Sequence, residues 1–395
     1  MSSRATRVVV AVAASLFSVS ALAACSSGGS QASGGGSGAA TSSSSDTVKI
    51  TLAQSGCTAE ADSYDAGALT FEIENTDATG STELELRLGE RIIGEKENLP
   101  PGFSGSFSLQ VAPGDYTLYC PGTDNPQSSI TVTGTAQTSA GTDTAALLQQ
   151  GATDYGQYVE LQAGLLVENT APLVQAIQAG DVDAAKAAYA KARAYYERVE
   201  PVAESFTSGD QNLDADIDAR EGDVPADEWR GFHVIEKGLW ESGSTAGLDT
   251  VATQLQTNVT TLQGLVKGLT YQPAEIANGA VSLLDEVAQN KVTGEEERYS
   301  RIDLLDFASN VEGAQQAFAN LQPGLTKIDP TITSTISTEF TACLAALDAY
   351  KDPANASGFV NYDQLTPADV TTLSQAVQAL QEPLSQVAGK VVTAG

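Results

Sequence analysis

One histidine, His233, and one methionine, Met1, are all that this 395-residue chain carries of either type. A single imidazole excludes the His-Glu-x-x-His zinc peptidases and their inverted form, which need a second His. It also excludes a blue-copper centre, which needs two His and usually an axial Met. Cations are scarce as well, with 20 Lys and Arg against 50 Asp and Glu and a net charge of -30. Such a chain is repelled by nucleic acid and by anionic lipid heads, and it favours cations. Phosphate, nucleotide and polyanion ligands fall away. Neither a Walker-type Gly-Lys loop nor a GxGxxG between a strand and a helix is present. Beyond the first residues no apolar run is long enough to predict a membrane-spanning helix. There are four cysteines, at 25, 57, 120 and 343.

What is present begins with an export signal over residues 1–24. Arg4 and Arg7 precede an apolar stretch, Val8 to Leu22, that is too short to span a bilayer. It ends in Leu22-Ala23-Ala24-Cys25, which resembles a bacterial lipobox and predicts lipid on Cys25. The two arginines are not adjacent, so a twin-arginine signal is not indicated. Residues 25–45 are Ser, Gly, Ala and Thr almost throughout and read as a flexible tether.

Residues 46–134 alternate apolar and polar side chains in short runs broken by turn residues. Val48–Leu52, Leu69–Asn75, Glu83–Leu88, Phe103–Val111, Tyr116–Cys120 and Ser129–Val132 predict a small antiparallel sandwich. A second Thr/Gly/Ala/Ser linker covers 135–145. From 146 to 395 the texture is Ala-, Leu-, Gln- and Glu-rich with apolar residues at helical spacing, which predicts one helical domain. Leu161, Leu165, Leu173 and Ile177 are expected on one buried face, and Cys343 is expected to be an inert buried thiol in an apolar helix.

Inside the helical part, His233 and Glu236 stand three apart and should share a helix face. Glu197 and Glu200 repeat that spacing upstream, with Pro201 disfavouring helical geometry at Glu200. A Glu-x-x-Glu facing a His-x-x-Glu is how helical bundles build carboxylate-rich metal sites. Dense acids beside aromatics and Gly recur in Tyr195–Phe206, Leu213–Glu221, Glu228–Trp240 and Lys291–Ser300. Together, and in that order, these stretches resemble the imelysin-like domain of the EfeO and EfeM iron-uptake proteins over nearly all of residues 146–395. The resemblance implies a metal site of Glu197, Glu200, Asp214, His233, Glu236 and Glu296. Such a donor set suits iron, Fe(II) or Fe(III), with zinc or manganese as competitors. With so few Lys and Arg in the chain, the acids are expected to lack cationic partners and some to have raised pKa values. Taken singly, Asp214 and Asp218 could equally be loop and capping acids, and Glu296 an acid at a helix N-terminus.

The strand-rich part resembles the cupredoxin-like domain at the front of EfeO through Ser55-Gly56-Cys57, Glu83–Leu86, Glu95–Phe103 and Pro113–Cys120. Where that family often has an acid three residues before the second Cys, this chain has Thr117. Two readings of Cys57 and Cys120 stand side by side. They form a structural disulfide, which an exported compartment permits. Or they bind copper or another metal as thiolates, with Glu83 as a third ligand.

The expected fold is thus multidomain, a small all-β cupredoxin-like sandwich followed by an all-α imelysin-like helical bundle. The resemblance implies an exported binding protein, lipid-anchored on the outer face of the cytoplasmic membrane, that captures iron. Its implied partners are a membrane iron permease and an exported haem peroxidase of the same system, and no nucleic acid. The alternative from another class is a carboxylate-dependent hydrolase, a glycosidase or metallohydrolase, using a separated acid pair. A structural surface protein without metal is the third.

Overall fold

The computed structural model describes residues 46–135, 143–208 and 211–394. The export signal, the lipid site at Cys25 and the tether lie outside the described residues. Strands β1 (Asp46–Ala53), β2 (Gly56–Ala59), β3 (Ser63–Asp65), β4 (Gly67–Asn75), β5 (Leu84–Leu88), β6 (Arg91–Lys96), β7 (Ser104–Val111), β8 (Gly114–Tyr119) and β9 (Gln127–Thr133) form two sheets. One has the order β2-β1-β4-β7 and the other β3-β9-β8-β5-β6. Inward residues such as Phe71, Leu109, Leu118 and Ile130 alternate with polar outward ones and fill the space between the sheets. Phe71 stacks on Phe107 with ring centroids 4.9 Å apart. The sandwich is mixed, not purely antiparallel as the sequence predicts, because β1 runs parallel to β4 and β3 parallel to β9. The chain changes sheets between these strands, so their connections are crossovers and not hairpins.

Cys57 on β2 and Cys120 just after β8 form a disulfide that ties one sheet to the other. Both sulfurs are therefore spent on each other, and the three-residue thiolate site of Cys57, Glu83 and Cys120 is not assembled. Glu83 is drawn instead into a group of acids. Burial, a hydrogen bond with Glu85 and the nearby Glu97 and Glu95 push its carboxyl well above the usual range.

The helical part comprises α1 (Asp143–Ala179), α2 (Val182–Glu197), α3 (Glu200–Glu204), α4 (Leu213–Ile217), α5 (Phe232–Trp240), α6 (Asp249–Val266), α7 (Pro273–Glu286), α8 (Asp303–Ile328), α9 (Pro330–Asp348), α10 (Pro367–Leu384) and α11 (Val387–Ala394). A π-helical turn, Val287–Lys291, continues α7. The buried stripe of α1 runs through Val159, Ala163, Leu166, Thr170, Leu173 and Ile177. Leu161 lies outside it and is 57% exposed, because the stripe is set one position off the Leu161–Leu165 row. Cys343 is free and buried on α9, and burial pushes its thiol up to about 12. Among the described residues no helix is long and apolar enough to cross a membrane.

The two parts pack directly on one another within one compact unit. Arg91 pairs with Glu275 and Lys96 with Asp285. The backbone of the strand β6 region also meets the segment after α3, with Ile92 N–H donating to Ser205 O and Thr207 N–H to Glu90 O.

Candidate metal centre

Glu197 is the last residue of α2, and Glu200 is the first of α3 with Pro201 just behind it. The Glu-x-x-Glu pair therefore straddles a helix break, as Pro201 requires. On α5, His233 and Glu236 share one face as their spacing predicts, with Nδ1 3.0 Å from Glu236 Oε2. Gly231 opens this helix at φ 92°, and a Cβ there would lie 2.1 Å from the Ile217 carbonyl oxygen. Only Gly permits that approach, which brings the start of α5 against the end of α4 and so His233 against Asp218. Glu296 and Glu297 come from the loop between the π-turn and α8, both buried. That loop is pinned by Glu236 Oε1, which accepts the Tyr299 and Ser300 amides at 2.7 Å each, and by Asp303, which accepts the Glu297 amide. Glu296 is thus a loop residue and not a helix N-terminal acid.

These elements converge. Three sets of donor atoms each lie within 4.8 Å of one another: Asp218, His233 and Glu296; His233, Glu236 and Glu297; and Glu197, Glu200 and Asp218. Five of the six expected site residues therefore come together. Asp214 is not in these sets. Its Oδ1 accepts a hydrogen bond from the Tyr196 hydroxyl, and burial pushes its carboxyl up to about 6 against that bond. Asp218, four residues on, stands where Asp214 was expected.

The acids are not short of cations, contrary to the expectation from composition. Arg193 and Lys291 are fully buried among them. Arg193 pairs with Glu197, Asp218, Glu296, Glu297 and Asp306. Lys291 pairs with Glu197, Glu200, Glu286 and Glu296, and Arg220 reaches Glu296 at 2.9 Å. The pKa values split accordingly. Burial alone would raise the Glu296 carboxyl, but Lys291, His233 and Arg220 hold it well below the usual range. Glu236 is likewise lowered, its burial outweighed by His233 and the two amides. Glu200 is raised well above the usual range, because burial exceeds what Lys291 offsets. Burial pushes Asp218 up to about 7 although Arg193 and His233 oppose it. His233 would be lowered by burial, yet Asp218, Glu236 and Glu296 hold it well above an ordinary imidazole.

The donor atoms differ in how far they are committed. Glu236 uses both oxygens, one on His233 Nδ1 and one on two amides. It is placed to fix the imidazole's orientation, as carboxylates behind metal-ligating His do. His233 Nε2 lies 3.5 Å from Asp218 and 3.3 Å from Glu296, with no aligned hydrogen bond to either. Glu197 Oε2 likewise has no hydrogen-bond donor. Buried polar atoms without partners are uncommon, and here the two belong to neighbouring donor sets, His233 with Asp218 and Glu296, and Glu197 with Glu200 and Asp218, joined through Asp218. Such a donor set fits a hard or borderline cation.

The sandwich, the bundle and this centre define a two-domain class in which a cupredoxin-like domain precedes an imelysin bundle with a buried acid–imidazole cluster. The sequence profile of the imelysin family matches residues 151–387, and that of the cupredoxin-like domain matches residues 10–132. The iron uptake system component EfeO of Escherichia coli (strain K12) is 38% identical over 347 residues, 87% of this chain and 90% of that protein. The proteins of the same name from Shigella flexneri and Escherichia coli O1:K1 / APEC match to the same extent. The chain belongs to the imelysin family and is of the EfeO type.

Proposed function

We propose that this chain is the lipid-anchored, extracytoplasmic iron-binding component of an iron-uptake system. It captures iron through His233 Nε2 and the carboxylates of Asp218, Glu296, Glu197 and Glu200, with Glu236 holding the imidazole. It passes the ion to a membrane permease, and an exported haem peroxidase works in the same system. The observation that carries the reading is the orphaned Nε2 of the chain's one histidine, aimed between two buried carboxylates. The likeness to proteins named as iron uptake components supports the choice of ion. Lipid on Cys25 would keep the protein beside the permease. A glycosidase needs a separated acid pair in an open sugar cleft, and the burial of these acids favours a cation instead.

Metal binding should tighten as pH rises. In the empty site His233 holds its proton above the ordinary range, and Asp218 titrates at about 7. An entering ion must displace those protons, so affinity rises between pH 6 and 8 by about tenfold per pH unit for each proton lost. Equilibrium dialysis of the full chain against Fe(II) under anaerobic conditions, zinc or manganese at both pH values, followed by elemental analysis, measures this. About one bound metal per chain, held more tightly at pH 8, is the expected result. No bound metal, or equal affinity at both pH values, contradicts it.

A further inference from the structure

Lys291 is the last residue of the π-helical turn, and its side chain is fully buried. Its Nζ lies 3.6 Å from Glu197 Oε2, 3.4 Å from Glu200 Oε2, 3.6 Å from Glu296 Oε2 and 3.3 Å from Glu286 Oε2. Tight charge-assisted bonds run at about 2.7–2.9 Å. The ammonium instead donates long hydrogen bonds, at 3.4 Å to both Glu200 oxygens and at 3.3 Å to Glu286 Oε2, and is shared between these acids and not tightly docked on one. Three of these four acids are among the metal donors proposed above. The fourth, Glu286, belongs to none of the donor sets, and its side chain keeps 15% exposure. π-turns are rare and concentrate at functional sites, and their i→i+5 register brings Glu286 and Lys291 together.

Building on that metal-binding reading, we propose that the Lys291 ammonium is a built-in stand-in for the metal. It fills the Glu197–Glu200–Glu296 cage while the ion is absent, moves toward Glu286 when the ion enters, and returns as the ion leaves. Two considerations support this. A metal cation and an ammonium repel strongly within one buried set of oxygens, so they exclude each other there. Bare buried carboxylates are costly, so release is easier when a resident cation takes the vacated place. Lys suits this role because its charge rides on a flexible four-carbon stem. Arg193, whose fork is held by five acids at once, is fixed in place. Lys291 thereby sets an upper limit on affinity and makes the bound ion transferable.

The test is zinc calorimetry and thermal melting of the full chain in the wild type, Lys291→Met and Glu286→Gln. Lys291→Met should bind zinc at least about tenfold more tightly, while its metal-free form melts lower than wild type. Opposite signs in the two readouts separate displacement from a purely structural role, which would lower stability without tightening binding. Glu286→Gln should weaken zinc binding severalfold, because the displaced ammonium loses its second partner. Unchanged or weaker binding in Lys291→Met overturns the proposal. If that variant does not fold, unchanged binding in Glu286→Gln overturns it. Failure of the wild type to bind zinc overturns the metal reading itself, a result distinct from either comparison among binding-competent variants.

Discussion

His233→Ala should lower metal affinity of the full chain by more than about 100-fold while leaving it folded. Even groups one shell behind a metal typically cost 10–100-fold when removed, and His233 supplies the one imidazole donor at the convergence of α5, α4 and the 292–302 loop. The same change removes a buried positive charge and leaves Glu236 Oε2 without its partner. A stability loss of roughly 1–3 kcal/mol is expected from that orphaned acceptor. Its pH dependence has a definite sign. A raised folded-state imidazole pKa means that stability is fully present below about 6.5 and is lost as pH rises through the folded value. The penalty of His233→Ala should therefore be larger at pH 6 than at high pH. Calorimetry with zinc and urea unfolding across pH check both halves. Wild-type affinity in the variant would remove His233 from the site.

Arg193→Met should be the most destabilising single change in the helical part, by roughly 3–5 kcal/mol, the usual cost of breaking a buried ion pair from one side. Arg193 is fully buried and neutralises Glu197, Asp218, Glu296, Glu297 and Asp306 together. The loss should shrink at acid pH. Asp218, at about 7, and Asp306, raised by burial well above the usual range, take up protons in the folded state and no longer need a counter-ion. In the wild type these raised carboxyls make the metal-free protein lose stability as pH climbs from the ordinary aspartate range through about 7. A variant as stable as wild type at pH 8 would show that the acid cluster does not depend on Arg193.

The alternation in β1, β4, β5, β7, β8 and β9 is plain in the sequence, as is the helical spacing after residue 146. Strand β6 is not, because Arg91-Ile92-Ile93-Gly94-Glu95-Lys96 does not alternate apolar with polar residues, and one of its two buried positions is Gly94, which is held close against Phe107 and Leu109 of β7. In the centre, Glu197, Glu200, His233 and Glu236 stand out by their short-range spacing, whereas Glu296 carries no spacing signal of its own and is marked only by the resemblance to the imelysin-like domain. The break between Glu197 and Glu200 was legible in Pro201. What spacing could not show is which oxygen is already occupied. Glu236 is committed to amides more than sixty residues away. Asp214 is turned to Tyr196, and Asp218, one turn further along, faces His233. The buried cations were hidden by composition, since a net charge of -30 says nothing about where the few Lys and Arg lie. One signal did exist. Arg193 stands four residues before Glu197 on the same helix, the spacing of an intrahelical ion pair.

Anomalous diffraction from crystals of the full chain loaded with iron or zinc would locate the ion relative to His233. A single strong peak is expected at roughly 2.0–2.2 Å from His233 Nε2, with oxygens of Asp218 and Glu296 in the same coordination shell and Glu236 still on Nδ1. A peak ligated by Asp214 without His233, a peak among the acids near Glu83 and Glu95 alone, or no peak in metal-loaded crystals would contradict this placement.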